Sequence, residues 1–123
     1  MANEITVQTS LQLANGNLKF ARGANFKADQ ATGIRGGPGV QVIGTTQEAI
    51  AIGSDVATLG WAWIQNLDAT NYVEIGVVVS ATFYPTNRFN PGEGYPIRLS
   101  PGVTYYAKAH TAPVNLEFEA LSN

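Results

Sequence analysis

The sequence predicts an all-β protein: a single β-sandwich over residues 1–123, jelly-roll-like, of about eight strands, with room for an N-terminal arm. Three observations predict it. Apolar and polar residues alternate in runs from Ile5 to Leu121, the period of a strand with one buried face, and no segment sustains a helical period. Turn signals separate those runs, Asn-Gly near the start and Pro-Gly twice in the last third. The runs also recur at the spacing of roughly 8–12 residues that sandwiches and barrels share.

In chain order, Ile5, Val7, Thr9, Leu11 and Leu13 share one face of a first half-buried strand, opposite Thr6, Gln8, Ser10 and Gln12. Asn15-Gly16 reads as the centre of a tight hairpin turn, because both residues tolerate positive φ. Leu18 and Phe20 resume the alternation against Lys19 and Ala21, and Phe26, Ala28 and Ala31 offer a short strand. Gly33-Ile34-Arg35-Gly36-Gly37-Pro38-Gly39 reads as a flexible surface loop. It is no phosphate loop, since neither Gly-Lys-Ser/Thr nor a helix pattern follows.

Val40–Ile43 and Glu48–Ile52 are short strand candidates around Gly44-Thr45-Thr46. Leu59, Trp61 and Trp63 share a face of the next strand, with Ala62 and Ile64 opposite. A turn over Asn66 to Asn71 leads into a long run from Tyr72 to Tyr84. Asn90-Pro91-Gly92-Glu93 and Ser100-Pro101-Gly102-Val103 each place Pro and then Gly at the centre of a type II turn. Tyr95, Ile97 and Leu99 lie between those turns; Val103, Tyr105, Ala107 and Ala109 follow them. Val114, Leu116, Phe118 and Ala120 alternate with Asn115, Glu117 and Glu119 near the end.

Composition narrows the function. Of 123 residues only 13% are charged, against about 25% in an ordinary soluble domain. Surface scaling gives a folded area of ~6,400 Å² out of ~19,000 Å² unfolded, so each charge has about 400 Å² to itself, roughly double the usual spacing. Part of so thinly charged a surface is expected to belong to an assembly. The chain has no cysteine, which excludes disulfides, thiolate catalysis and Cys-ligated metal. No apolar run approaches the ~18–20 residues of a membrane helix, and no secretory leader pattern opens the chain. Seven scattered basic residues and a net charge of −2 argue against nucleic-acid binding.

Candidate chemistry is sparse. His110 is the sole histidine, without a Gly-x-Ser-x-Gly elbow or a second metal-binding imidazole. Glu117 and Glu119 share a strand face and read as solvated. Asn66, Asp68 and Thr70 place oxygens at alternate positions as calcium loops do, but lack the glycine and closing glutamate of that pattern. Trp61 and Trp63, with Tyr72 on the expected partner strand, read as core or subunit interface, with a sugar-stacking platform as the alternative. No catalytic, cofactor-binding or metal-binding residue is assigned, and no enzyme is expected.

A resemblance appears in the second half. Trp63-Ile64-Gln65-Asn66-Leu67-Asp68-Ala69-Thr70-Asn71-Tyr72-Val73-Glu74-Ile75-Gly76 resembles a hairpin of small tailed-bacteriophage virion proteins. Asn90-Pro91-Gly92-Glu93, Arg98-Leu99-Ser100-Pro101-Gly102-Val103, Tyr106-Ala107-Lys108-Ala109 and Val114-Asn115-Leu116-Glu117 resemble the ending of the same proteins. The resemblance spans roughly residues 57–121 and carries over no catalytic residue. It implies an accessory virion protein, such as a capsid decoration or cement protein on the head surface, made in the bacterial cytoplasm. Its partners would be the major capsid protein and copies of itself, with a homotrimer as the expected state. The contact residues expected are Ile34 and Arg35 in the glycine-rich loop, Arg88 and Phe89 in a long turn, and the segment around Asn3–Val7. Phe89 and Arg35 lead, because aromatic and arginine side chains dominate interfaces. The competing expectation is a tail- or fibre-associated module that binds host glycans through Trp61 and Trp63.

Overall fold

The computed structural model describes residues 3–123, and among them there is no helix. The strands are β1 (Ile5–Asn15), β2 (Leu18–Ala28), β3 (Arg35–Ile43), β4 (Glu48–Ala49), β5 (Leu59–Asn66), β6 (Val73–Val79), β7 (Thr82–Phe89), β8 (Gly94–Arg98), β9 (Tyr106–Ala109) and β10 (Val114–Ser122). Eight of them make two four-stranded antiparallel sheets, in the orders β3-β10-β5-β8 and β4-β9-β6-β7. β1 and β2 form a separate two-stranded ribbon.

Period-two alternation sets the core. Val114, Leu116, Phe118 and Ala120 form the buried row of β10, and Ala62 and Ile64 the buried row of β5 beside it. From the other sheet come Val73 and Ile75 of β6, Phe89 of β7 and Ala107 and Ala109 of β9, and all join one cluster. Each large side chain fully buried there contributes roughly 1.5–3 kcal/mol. β10, paired on both sides, carries the longest such row.

Four local readings of the sequence are corrected. The glycine-rich segment is no flexible loop: residues 35–39 belong to β3 and pair with β10. Gly37, at φ 118°, and Pro38 together face Glu119 at a bulge between Phe118 and Ala120. An edge strand with a bulge is where proline, lacking an N–H, fits a sheet. Gly36 is required by packing, since a Cβ there would lie 2.5 Å from Val56 Cγ2.

The long run from Tyr72 is in fact two strands, β6 and β7, joined at Ser80-Ala81. Both residues have positive φ, 50° and 65°, as a primed two-residue hairpin demands. Neither is a glycine or asparagine, which is why the turn is silent in the sequence. In the first hairpin Asn15 pairs with Leu18, so Gly16 and Asn17 form the turn and Gly16 alone takes positive φ. Glycine at the first central position suits the type II′ turn.

β5 and β6 do not form a hairpin, because they lie in different sheets. Asn66, fully buried, holds the corner between them. Its Nδ2 donates to the carbonyls of Asn71 and Phe89 at 2.9 and 3.0 Å, and its Oδ1 accepts from Asp68 N. Its backbone bonds to Glu93 and Gly92 of the first Pro-Gly turn. Gly92 and Gly102 both have φ of 80°, the conformation that a type II turn needs at its third residue.

Two outcomes are expected from these contacts. Replacing Ser80-Ala81 by Asn-Gly relieves two left-handed L-residues and should stabilise the protein by about 0.5–1 kcal/mol in urea unfolding. Asn66→Ala strands two inward carbonyls and should cost about 2–3 kcal/mol in the same measurement.

Candidate functional site

The ribbon of β1 and β2 is the most exposed element of the chain. Opposed residues in an antiparallel pair share a face, so Val7 with Phe26, Thr9 with Ala24, Leu11 with Arg22 and Leu13 with Phe20 all lie on one side. Leu18 extends that side at the tip. Thr6, Gln8, Ser10, Gln12, Lys19, Asn25 and Lys27 occupy the other. The ribbon is thus amphipathic along its length, about 36 Å for 11-residue strands.

Only its base rests on the body. Val7 is 4% exposed, and the Phe26 ring lies 5.4 Å from that of Trp61. Asn3 N donates to Asp29 and Gln30 N to Glu4, closing the base. Gln30 Nε2 then donates to the carbonyls of Ile34 and Ser122, which ties the exit of β2 to the end of β10. Every residue from 8 to 27 is exposed, including Leu11 at 67% and Leu18 at 61%. The first strand is therefore half-buried only at its base, and from Thr9 onward its apolar face meets no layer of the chain.

The protein's accessible surface is 7379 Å², roughly 1,000 Å² above what its mass predicts. An element projecting from the body accounts for such an excess.

A second apolar surface lies on the outer face of the β3-β10-β5-β8 sheet. Pairing sets Glu117 between Val40 and Gln65, Val42 beside Asn115, and Glu119 beside Trp63. Val40 is 53% exposed, Val42 61% and Trp63 39%. Trp61 and Trp63 thus face outward, which corrects the core half of the expectation of core or subunit interface. The inward positions of β5 are Ala62, Ile64 and Asn66. Leu59 leaves the tryptophan face, because the register slips between Ala120 and Ser122. Trp63 Nε1 donates to Glu117 Oε1 at 2.8 Å, and the Arg98 guanidinium lies 6.0 Å from the Trp61 ring. Tyr72 is not with the tryptophans, since β6 belongs to the other sheet.

The remaining expected contact residues are scattered. Arg35 is exposed at the start of β3, and Ile34 beside it packs partly on the core. Arg88 and Phe89 lie in β7 and not in a long turn. Phe89 has no exposed surface: its ring stacks on Tyr95 at 4.6 Å inside the core, so it cannot be a contact residue. Placement in a long turn suggests exposure, but strand parity turns Phe89 inward beside Val73. Arg88 points outward, 3.5 Å above the Tyr72 ring, which stacks on His110 at 4.5 Å.

The Asn66–Asn71 segment is a backbone turn. Asp68 Oδ2 accepts from the N–H groups of Thr70 and Asn71, so that oxygen serves the chain itself. Among the described residues no group of three or more His, Cys, Asp or Glu is placed to hold a metal.

The residues that the sequence reading missed are Leu11, Leu13, Leu18 and Phe20. Their signal was present: residues 5–28 contain Lys19, Arg22 and Lys27 but no acidic residue, an unusual balance for a strand pair destined for an acidic protein's own core. Comparison with family models, with curated proteins and with solved structures finds no match for this chain.

The turn has a pH signature. Hydrogen bonds from the Asn71 and Thr70 backbones hold the Asp68 carboxyl below its ordinary 3.8. A lowered folded value means stability that is present in full above 3.8 and lost as pH falls through the folded value. Asp68→Asn should therefore be less stable than the parent at neutral pH, with the gap narrowing as the solution is acidified below that point. A gap that stays constant through acid titration would contradict the assignment.

Proposed function

We propose that this chain is a non-enzymatic structural protein of a tailed-bacteriophage virion, a decoration or cement protein that binds the assembled head and works as a homotrimer. The observation that carries the reading is the β1–β2 arm, an amphipathic ribbon with an unfilled apolar face that only another surface can cover. An isolated two-stranded hairpin is marginal in water, so an arm this long makes physical sense as a binding element. The resemblance of residues 57–121 to small virion proteins points to the same class. Thin charge suits a surface largely covered in an assembly.

The strand orders β3-β10-β5-β8 and β4-β9-β6-β7 support an eight-stranded jelly-roll sandwich as the body. That architecture serves viral shells and lectins alike, so the arm carries more weight than the fold. Its partners in this reading are the major capsid protein and further copies of itself. Strengthening the shell then needs only preferential binding to the assembled form, which is mass-action linkage.

Trp63 favours a second reading. An exposed indole ringed by Glu117, Glu119 and Gln65 has the apolar platform and polar rim that sugar rings stack on. A tail- or fibre-associated glycan-binding module is the alternative.

Purified protein added to shells that lack it should bind saturably and raise the temperature at which they rupture. Leu11→Asp with Leu18→Asp should weaken that binding at least tenfold while leaving the circular dichroism spectrum unchanged. Failure to bind shells, with binding to host glycans abolished by Trp63→Ala, would replace this reading with the alternative.

A further inference from the structure

At the base of the arm two surfaces already meet. Phe26, on the apolar side of the ribbon, packs on Trp61, on the outer side of the β3-β10-β5-β8 sheet. Both surfaces continue beyond that contact without partners. The arm goes on with Leu11, Leu13 and Phe20, and the sheet goes on with Trp63, Val40 and Val42, all exposed. The arm of one protomer leads away from its own sheet, so each molecule displays an unfilled apolar side on both pieces.

Charge distinguishes the two pieces. The arm carries three basic residues and no acidic one, a net +3, while the other 99 residues carry four basic and nine acidic ones, a net −5. On the arm's apolar side Arg22 lies over the Phe20 ring at 4.7 Å. On the sheet, Glu117 and Glu119 stand between the valines of β3 and Trp63 of β5. Two arms brought face to face would set like charges together, whereas an arm laid on the sheet sets Arg22 near carboxylates. Like-charge contact suppresses the first arrangement and favours the second.

We propose that the arm of one copy seats on the outer face of the β3-β10-β5-β8 sheet of a second copy. This rests on the reading of the chain as an assembly protein and names the partner that the arm takes first. Leu11, Leu13 and Phe20 cover Val40, Val42 and Trp63, and Arg22 approaches Glu117 and Glu119. The contact is heterologous, one patch against a different patch, so it closes into a ring when the rotation allows.

The test uses full-length chains in sedimentation velocity. Leu13→Asp with Phe20→Asp spoils the arm, and Val42→Asp with Trp63→Asp spoils the sheet face; all four side chains are exposed, and a retained cooperative thermal transition with a β-type circular dichroism spectrum confirms that each variant is folded. The parent protein should assemble, and each variant alone should sediment as a 13.1 kDa monomer. Mixed, the two variants should form a one-to-one pair, because one supplies an intact arm and the other an intact face. A monomeric parent, a sheet variant that still assembles alone, or a mixture that stays monomeric would each overturn the proposal. The result is independent of shell binding: assembly without shell binding removes only the virion role, and shell binding by a monomeric parent removes only arm exchange.

Discussion

The eight strands of the body depend on one interaction, the burial of alternate side chains against a facing layer. The two four-stranded sheets satisfy it for each other. Phe118, Leu116 and Ile64 from one sheet and Ile75, Val73 and Phe89 from the other occupy a single core, and Asn66 fastens the corner where the chain crosses between them. The arm obeys the same alternation with no facing layer beyond Val7 and Phe26. Its sequence is that of a buried ribbon, and its position is that of an exposed one. That conflict between local pattern and tertiary placement is where a functional site is expected.

Much of the architecture was legible because it follows from local chemistry. The inward rows of β8 and β10 and both Pro-Gly turns sit where alternation and turn residues put them. What alternation cannot supply is which face turns inward and how far a strand runs. Trp61 and Trp63 have the larger apolar surface, yet the smaller Ala62 and Ile64 face the core, because Asn66 must reach inward to Asn71 and Phe89 and parity then sends the tryptophans out. The hairpin at Ser80-Ala81 was invisible because its positive φ values sit on residues that rarely adopt them. Gly36 and Gly37 read as flexibility, although one makes room for Val56 and the other forms a bulge against Phe118.

The site was partly legible. Sparse charge raised the question of what covers the surface, but the expected contact residues were sought in loops. Loops carry most binding sites in sandwich folds, and that general expectation led to Phe89, a core residue. The stronger signal was compositional: a run from Ile5 to Ala28 with strand periodicity, three cations and no anion inside an acidic chain. Opposite net charges on two parts of one chain are a physical reason for copies to associate head to tail.

The absence of cysteine from the chain permits a direct measurement of the arm's partner. Leu13→Cys and Val42→Cys are prepared as separate full-length proteins, mixed under mild oxidation, and separated by mass. If the arm seats on the sheet of a second copy, the disulfide forms between the two variants, and neither variant alone links to itself at a comparable rate. Linkage of Leu13→Cys to itself as fast as in the mixture, or no linkage between the two at concentrations where the parent assembles, would contradict the account.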